Sequence, residues 1–188
     1  MISPNDQERY LTFDREQWAV LRAQTPLTLT EKELEEIHSE DEEEDDENKE
    51  KNKMVEGCVI ALTNDSRNAG VIVLVSCETD FVAKNENFVA MAKNIATVAL
   101  ENQPADVDAL KALTIDGVSI ADRLMEEVAK IGEKIDVTKY ELVQGANVVS
   151  YIHGANRMGV LVEMNNAAND ANHTAGKDVA MQIAAMNP

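Results

Sequence analysis

Aromatic residues are scarce in this sequence: they make up 4% of its 188 residues, although apolar residues make up 44%. A core of this composition must be built from Val, Ile, Leu, Ala and Met. The sequence also has no apolar run near the roughly 20 residues that a membrane helix needs. Its first ten residues, MISPNDQERY, lack the basic and hydrophobic pattern of a signal peptide. We therefore expect no membrane association and a cytoplasmic location.

Cysteine is equally scarce, with only Cys58 and Cys77. Two cysteines do not make a disulfide framework, and both fall in apolar, strand-like segments. Small buried hydrophobic residues are therefore favoured over a redox pair, and a reducing compartment is expected.

Catalytic motifs are missing as well. The segment AGKD at 175–178 lacks the upstream glycine and the hydroxyl residue of a phosphate-binding loop. There is no HExxH, and the three histidines, His38, His153 and His173, are dispersed along the chain, which argues against a metal site. Neither cysteine has a histidine close in sequence that would activate it. The sequence predicts a protein that is not an enzyme and has no cofactor or metal.

The formal net charge of −18 is unevenly distributed. Residues 31–53 hold 13 acidic residues against four lysines. This segment is an eighth of the chain and carries half of the total net charge. No basic face able to follow phosphates is apparent, so direct binding of nucleic acid is not expected. The eight consecutive acids Glu40–Glu47 repel one another, which predicts a disordered linker over 39–53. A weak calcium-binding tail is the alternative, but no turn glycine or ligand spacing accompanies these acids.

The segment before the linker, residues 1–38, is predicted to be a short helical leader. A first helix is expected over Phe13–Gln24, with Asp14 as a possible N-cap. The capping-box pair Thr30 and Glu33 predicts a second short helix. Two short helices with one tryptophan cannot form a core alone, so this segment must dock on something or stay largely unstructured.

The segment after the linker contains an internal repeat. Val59–Ser76 aligns without a gap on Val148–Asn165, and each reads as two apolar strands around a polar turn. Lys93–Pro104 aligns in the same way on Lys177–Pro188, with the apolar spacing of a helix packed on one face. The predicted fold class is α+β, a duplicated unit of antiparallel β-hairpin plus helix, preceded by short helices and a disordered acidic linker.

The first unit, residues 54–143, is expected to be larger than the second. It adds helical stretches at Asp106–Leu113 and Ser119–Lys134 and a strand at Asp136–Val143. The second unit, residues 144–188, has no counterpart of these and is predicted to be truncated. Its incomplete sheet edge allows self-association as a homo-oligomer.

The string CETDFVAKN places Phe81 in a polar stretch directly after the apolar run Val71–Val75. Such a phenylalanine either folds back onto its own core or is exposed for a partner. The second unit has AANDANHTAG in this place, with no aromatic residue. Phe81 is therefore dispensable to the architecture, which favours an exposed residue with a function.

Four strings in this order, CETDFVAKNENF, KIGEKI, SYIHGANRMGVLVE and DVAMQIAAMNP, resemble bacterial translation elongation factor Ts. The resemblance covers about Val55–Pro188. It implies the internally duplicated α+β core of that family, in agreement with the repeat. It also implies guanine-nucleotide exchange on elongation factor Tu, with elongation factor Tu as the protein partner.

The resemblance also implies which residues contact this partner. The family inserts its TDF loop beside the nucleotide and magnesium site of elongation factor Tu, where Asp and Phe displace the elements that hold magnesium and phosphate. Here Asp80 and Phe81 correspond to these two residues, flanked by Thr79 and Val82. Further family contacts correspond to Ile131, Gly132 and His153.

Other parts of the sequence depart from the family. The small N-terminal three-helix domain of the family is not found, and Tyr10–Ile37 resembles instead the N-terminal leader of type I pantothenate kinase. That kinase's phosphate loop and catalytic residues are missing, so no kinase activity is expected. The alternative function is a non-exchanging interaction module that binds elongation factor Tu or itself, in a composite or truncated chain.

Overall fold

The computed structural model describes residues 9–14, 54 and 56–186. The described helices and antiparallel strands form an α+β protein, as the sequence predicted. The strands of the described residues are β1 (Arg9–Asp14), β2 (Glu56–Thr63), β3 (Ala69–Cys77), β4 (Thr114–Ile115), β5 (Val118–Ser119), β6 (Asp136–Gln144), β7 (Asn147–His153) and β8 (Met158–Met164). Their helices are α1 (Asp80–Ala83), α2 (Glu86–Asn102), α3 (Val107–Ala112), α4 (Ile120–Ile131) and α5 (Asp170–Met186).

The predicted start of the first helix is wrong. Phe13 and Asp14, expected to open a helix, are the last two residues of strand β1. β1 pairs with β8, so hydrogen bonds between strands prevail over the local capping signal of Asp14. The rest of that predicted helix, the second short helix and the acidic linker 39–53 lie outside the described residues, as does the pantothenate-kinase-like segment beyond Asp14.

The strands form two three-stranded antiparallel sheets and one short two-stranded ladder. The first sheet has the order β2-β3-β6, the second has the order β1-β8-β7, and β4 pairs with β5. One core lies between the first sheet and helices α2, α3 and α4, and another between the second sheet and α5. A third cluster, which includes Val59, Ile72, Val148 and Leu161, joins the two sheets. The result is a layered packing in which each sheet is covered on both faces.

This layering explains the nine consecutive buried residues of β3. Side chains alternate between the two faces of a strand. Val71, Val73 and Val75 belong to the core beneath α2, whereas Ile72 and Leu74 belong to the cluster between the sheets. Because both faces are buried, the strand is apolar throughout instead of alternating between apolar and polar residues.

The contacts between the two sheets occur in pairs. The amide of Val59 donates to the carbonyl of Asn156 at 2.8 Å, and the amide of Val148 donates to the carbonyl of Arg67 at 2.6 Å. A shift of 89 residues converts one bond into the other, and both Arg67 and Asn156 have a positive φ. Each hairpin turn therefore contacts the strand of the other hairpin in an equivalent way.

Gly70 and Gly159 are also equivalent under this shift. A Cβ at Gly70 would lie 2.8 Å from Val148 Cγ1, and one at Gly159 would lie 2.7 Å from Val59 Cγ1. Real Cβ atoms do not approach so closely, so glycine is required at both positions for the sheets to pack at this distance.

Most of the helix and strand predictions for residues 56–186 are confirmed. The hairpins at Val59–Ser76 and Val148–Asn165 are β2–β3 and β7–β8, and the strand at Asp136–Val143 is β6. The helix at Ser119–Lys134 ends earlier than predicted, at Ile131, because Gly132 adopts a left-handed conformation with φ 79°. Within the described residues, no helix has the length and apolar composition to cross a bilayer.

Candidate partner-binding site

The segment between β3 and α2 contains a single helical turn, α1. Thr79 is its N-cap, with the hydroxyl oxygen accepting from the amide of Val82 at 3.5 Å. Asn85 then caps α2, and its side chain accepts from the amides of Asn87 and Phe88. Two capping residues six positions apart thus fix where α1 begins and where α2 begins.

The side chains of α1 point in different directions. Phe81 is 84% exposed, the largest exposed fraction among the large apolar residues described. Ala83 is buried in the core beneath α2, and Val82 packs partly against that core. The prediction of an exposed Phe81 is confirmed. The turn is attached to the core on one side and presents the phenylalanine ring on the other.

A carboxylate from a distant part of the chain holds the start of α1. Glu133 accepts two hydrogen bonds from Thr79: Oε1 from the hydroxyl at 2.7 Å and Oε2 from the backbone amide at 3.1 Å. The Cys77 thiol also donates to the Thr79 carbonyl at 3.3 Å. The polar groups of Thr79 are thus engaged within the chain, so this residue positions the loop that carries Asp80 and Phe81.

Glu133 directly follows the end of α4. Gly132 is the C-cap, and its amide donates to the carbonyl of Val128 at 2.8 Å. A Cβ at Gly132 would meet nothing within 4 Å, so its left-handed φ is what favours glycine here. Ile131, the last residue of α4, is 38% exposed. The structure therefore brings two predicted sets of site residues together, Thr79–Val82 and Ile131–Gly132.

Asp80, the first residue of α1, forms an ion pair with its C-cap residue. Its Oδ2 lies 2.6 Å from the Lys84 ammonium, four residues later, and both side chains remain substantially exposed. Such a surface pair contributes little to stability and is exchangeable. The Asp80 carboxylate is therefore held beside Phe81 without being buried.

His153 lies elsewhere, at the end of β7. Its Nδ1 is 3.1 Å from the Tyr151 hydroxyl, and the imidazole ring is exposed. The backbone of His153 itself is not in the left-handed region. The positive φ values belong to the three following residues, Gly154, Ala155 and Asn156, which form the turn itself.

Comparison of the two hairpins shows why only the first carries this loop. Residue numbers differ by 89 between the hairpins but by 84 between the following helices, since α2 begins at Glu86 and α5 at Asp170. The first segment is therefore longer by five residues, close to the length of the α1 turn. Both helices have 17 residues, so the extra length lies before the helix and not within it.

Glu133 is the residue of the site that sequence reasoning missed. It lies inside the quoted string KIGEKI, but its partner Thr79 is 54 positions away. No local sequence pattern indicates a hydrogen bond between two residues so far apart in the chain.

The two thiols of the core beneath the loop have raised pKa values. Burial, together with the nearby Glu133 and Glu56 carboxylates, raises the pKa of the Cys77 thiol to about 12. Burial likewise raises the pKa of Cys58 to about 12. Both cysteines are free and buried, which confirms their prediction as small hydrophobic residues. Within the described part of the chain, no group of three or more His, Cys, Asp or Glu residues could hold a metal ion.

The fold and the loop together define an α+β protein with an exposed apolar residue on a rigid turn, a geometry suited to contact with another macromolecule. The family model for elongation factor TS matches residues 78–188, more than half of the chain. This match includes α1, α4 and the second hairpin. The chain therefore belongs to the elongation factor Ts family.

Individual relatives agree with this assignment. Elongation factor Ts of Amoebophilus asiaticus is 47% identical over 133 residues, covering 71% of this chain and 48% of the relative. Elongation factor Ts of Rhodopirellula baltica is 43% identical, covering 71% and 40%. That of Clostridioides difficile is 45% identical over 136 residues, covering 71% and 45%. The chain thus spans about half the length of the curated relatives it matches.

Proposed function

We propose that this chain binds elongation factor Tu and promotes GDP release by inserting the Asp80–Phe81 loop near the nucleotide and magnesium site. It would act as a guanine-nucleotide exchange factor and not as an enzyme. The observation that carries the proposal is the 84% exposure of Phe81 on a turn whose neighbouring residues are anchored.

The anchoring matters because the loop must keep its conformation when it is inserted into the partner. Ala83 is buried behind Phe81, and Thr79 is tied to Glu133 in front of it. Little conformational entropy is then lost when Phe81 is buried by a partner. Complete burial of a phenylalanine ring contributes about 1.5–3 kcal/mol, the size of an interface anchor.

Asp80 supplies the charge in this proposal. Its carboxylate is held beside Phe81 by Lys84, and a surface ion pair opens at little cost. Beside a nucleotide, the carboxylate would repel phosphate and compete with the oxygen ligands that hold magnesium. The coupling is reciprocal: a protein that binds nucleotide-free elongation factor Tu better must itself be released by nucleotide.

The remaining proposed contacts differ in how the fold supports them. Ile131 and Gly132 share the Glu133 connection with the loop, so they would extend the same surface. His153 would contribute from the second hairpin, whose turn is held against β2 by the bond from Val59 to Asn156.

The test is release of labelled GDP from elongation factor Tu, with this chain and with Phe81→Ala. We expect the variant to stimulate release about 10- to 100-fold less, as follows from the loss of about 1.5–3 kcal/mol. Met186→Ala is the matched control, since Met186 is 73% exposed but lies at the end of α5. Both variants should keep the unfolding free energy of the parent chain, because neither side chain is buried.

Equal stimulation by the parent chain and by Phe81→Ala would contradict the function assigned to Phe81. Binding of elongation factor Tu without any GDP release by the parent chain would instead favour the non-exchanging interaction module. Binding is measured separately, by calorimetry at constant nucleotide concentration, so that the two results are distinguishable.

A further inference from the structure

The second sheet has a third strand that does not come from the second hairpin. β8 lies between β7 and β1, just as β3 lies between β2 and β6. In the first sheet, the third strand β6 follows α4 along the chain. In the second sheet the same edge is paired by residues 9–14, from the other end of the chain.

The two edge strands have the same register. β6 pairs with β3 from Ala69↔Gln144 to Leu74↔Lys139, in six consecutive positions. β1 pairs with β8 from Met158↔Asp14 to Glu163↔Arg9, also in six. The central strands correspond by the shift of 89 residues, and the edge strands correspond by a constant shift of 130, without exception.

We propose that the second sheet depends on residues 9–14 to complete it, because β1 has the place on β8 that β6 has on β3. β1 covers an edge of β8 that would otherwise be unpaired, and it belongs to this same chain. Residues 9–14, which lie outside the elongation factor Ts match, are then a structural part of the core. This inference is independent of any activity on elongation factor Tu.

The chemistry of the edge favours such an occupant. An unpaired strand exposes a row of amide and carbonyl groups that recruit any available strand. Residues 9–14, RYLTFD, contain two aromatic residues and a threonine but no proline or glycine, which suits an edge strand. At β8 they meet a strand whose Val160, Leu161 and Val162 are buried.

The length of the connection between β1 and β2 favours the same chain over a second copy as the source of the strand on β8. Residues 15–55 connect β1 to β2, and 41 residues can extend over about 140 Å. That reach exceeds the size of the domain, so the segment can arrive from the same molecule. Because β1 is covalently joined to the rest of the chain, its effective concentration at β8 exceeds that of a second chain in dilute solution.

The first test is disulfide formation in four double-cysteine variants of the full chain. Arg9→Cys with Glu163→Cys and Asp14→Cys with Met158→Cys join register partners, whose Cα atoms should lie about 4.5–5.5 Å apart. The swapped pairs, Arg9→Cys with Met158→Cys and Asp14→Cys with Glu163→Cys, would lie about 17 Å apart. The parent chain is the background control, because Cys58 and Cys77 are buried.

We expect the two register pairs to form disulfides within one molecule, at least tenfold faster than the swapped pairs, at every protein concentration. Equal rates in all four variants would show that β1 does not occupy this edge. Faster reaction of the swapped pairs would mean a parallel strand and would overturn the register. Disulfides formed only between molecules, seen as dimers in a non-reducing gel, would mean that a second copy supplies the strand.

A second measurement needs no new thiols. In an edge strand, the N–H groups of adjacent residues alternate between the neighbouring strand and solvent. Of Leu11→Pro and Thr12→Pro, one therefore removes a hydrogen bond to β8, and the other serves as its matched control. We expect faster amide hydrogen exchange in β8 for one variant, a smaller change for the other, and none in β3. Unchanged exchange in β8 in both variants would contradict the proposal.

Discussion

At the scale of single residues, Phe81 and Phe88 are seven positions apart but differ in their exposure to solvent. Phe81 is 84% exposed on α1, whereas Phe88 is 2% exposed at the start of α2. The Asn85 cap lies between them and changes the direction of the chain. The first ring is available to a partner, and the second belongs to the core beneath α2.

The two buried thiols lead to a prediction about how the free energy of unfolding depends on pH. Burial raises the pKa of Cys58 and Cys77 from 9.0 to about 12. Between these values the unfolded chain loses thiol protons that the folded chain retains, so the stabilisation is complete below pH 9 and is lost as the pH rises towards 12. Each thiol should lower the free energy of unfolding by up to about 1.4 kcal/mol per pH unit in this range.

Urea unfolding with a reductant at pH 7.5, 9, 10 and 10.5 measures this slope. The control is the double variant Cys58→Ala, Cys77→Ala, which should show a shallower fall. Some slope must remain in it, since burial also raises the pKa of Tyr140 to about 12. Identical slopes in parent and double variant would mean that the thiols ionise equally in the folded and unfolded chains.

At the scale of elements, the end of α4 controls the start of α1. Gly132 ends α4 and directs Glu133 to Thr79, 54 residues earlier. The loop with Phe81 is therefore fixed by two elements that are distant in sequence. This connection also explains why two separate strings of the sequence contribute to one surface.

Gly132→Ala and Gly117→Ala form a matched pair at this scale. Both glycines have a left-handed φ, 79° and 81°, and a Cβ at either would meet nothing within 4 Å. Each substitution should therefore cost a similar amount of stability, about 1 kcal/mol, from backbone strain alone. Only Gly132→Ala should also move Glu133 away from Thr79.

Amide hydrogen exchange at Asp80–Lys84 separates these effects. We expect faster exchange in this segment for Gly132→Ala and parent-like exchange for Gly117→Ala. If the proposed function is correct, stimulation of GDP release from elongation factor Tu should then fall for the first variant only. If both variants leave the exchange of α1 unchanged, Glu133 does not position the loop.

At the scale of the whole molecule, the two sheets meet through equivalent contacts. Gly70 faces Val148 and Leu161, and Gly159 faces Val59 and Ile72 in the same arrangement. These contacts form the centre of the cluster that joins the first and second sheets. The relative placement of α1 and the second hairpin depends on this interface.

Gly70→Ala and Gly159→Ala should therefore each destabilise the chain. The added methyl groups would meet Val148 Cγ1 and Val59 Cγ1 at under 3 Å, and overpacking of this kind costs about 1–3 kcal/mol. Chemical unfolding measures the loss. Combination with Val148→Ala or Val59→Ala, respectively, should recover part of it, because each truncation removes the opposing methyl group. Strict additivity in these double-mutant cycles would contradict the proposed clash.

The sequence alone was sufficient for most of the longer helices and strands of residues 56–186 and for the exposed phenylalanine. Both hairpins and α4 follow from periodicity, turn residues and local capping, which are short-range effects. The exposure of Phe81 follows from its polar surroundings and from the absence of an aromatic residue in the second unit. These signals lie within a few residues of the features they predict.

Only the tertiary structure could decide which distant residues meet. The hydrogen bonds from Thr79 to Glu133, the packing of Gly70 on Val148 and the pairing of β1 with β8 join residues 54, 78 and about 150 positions apart. β1 is the clearest case, because Asp14 resembled a helix cap in sequence and is a strand residue in the fold. An edge strand is defined by its neighbour, and residues 9–14 carry no local sign of β8.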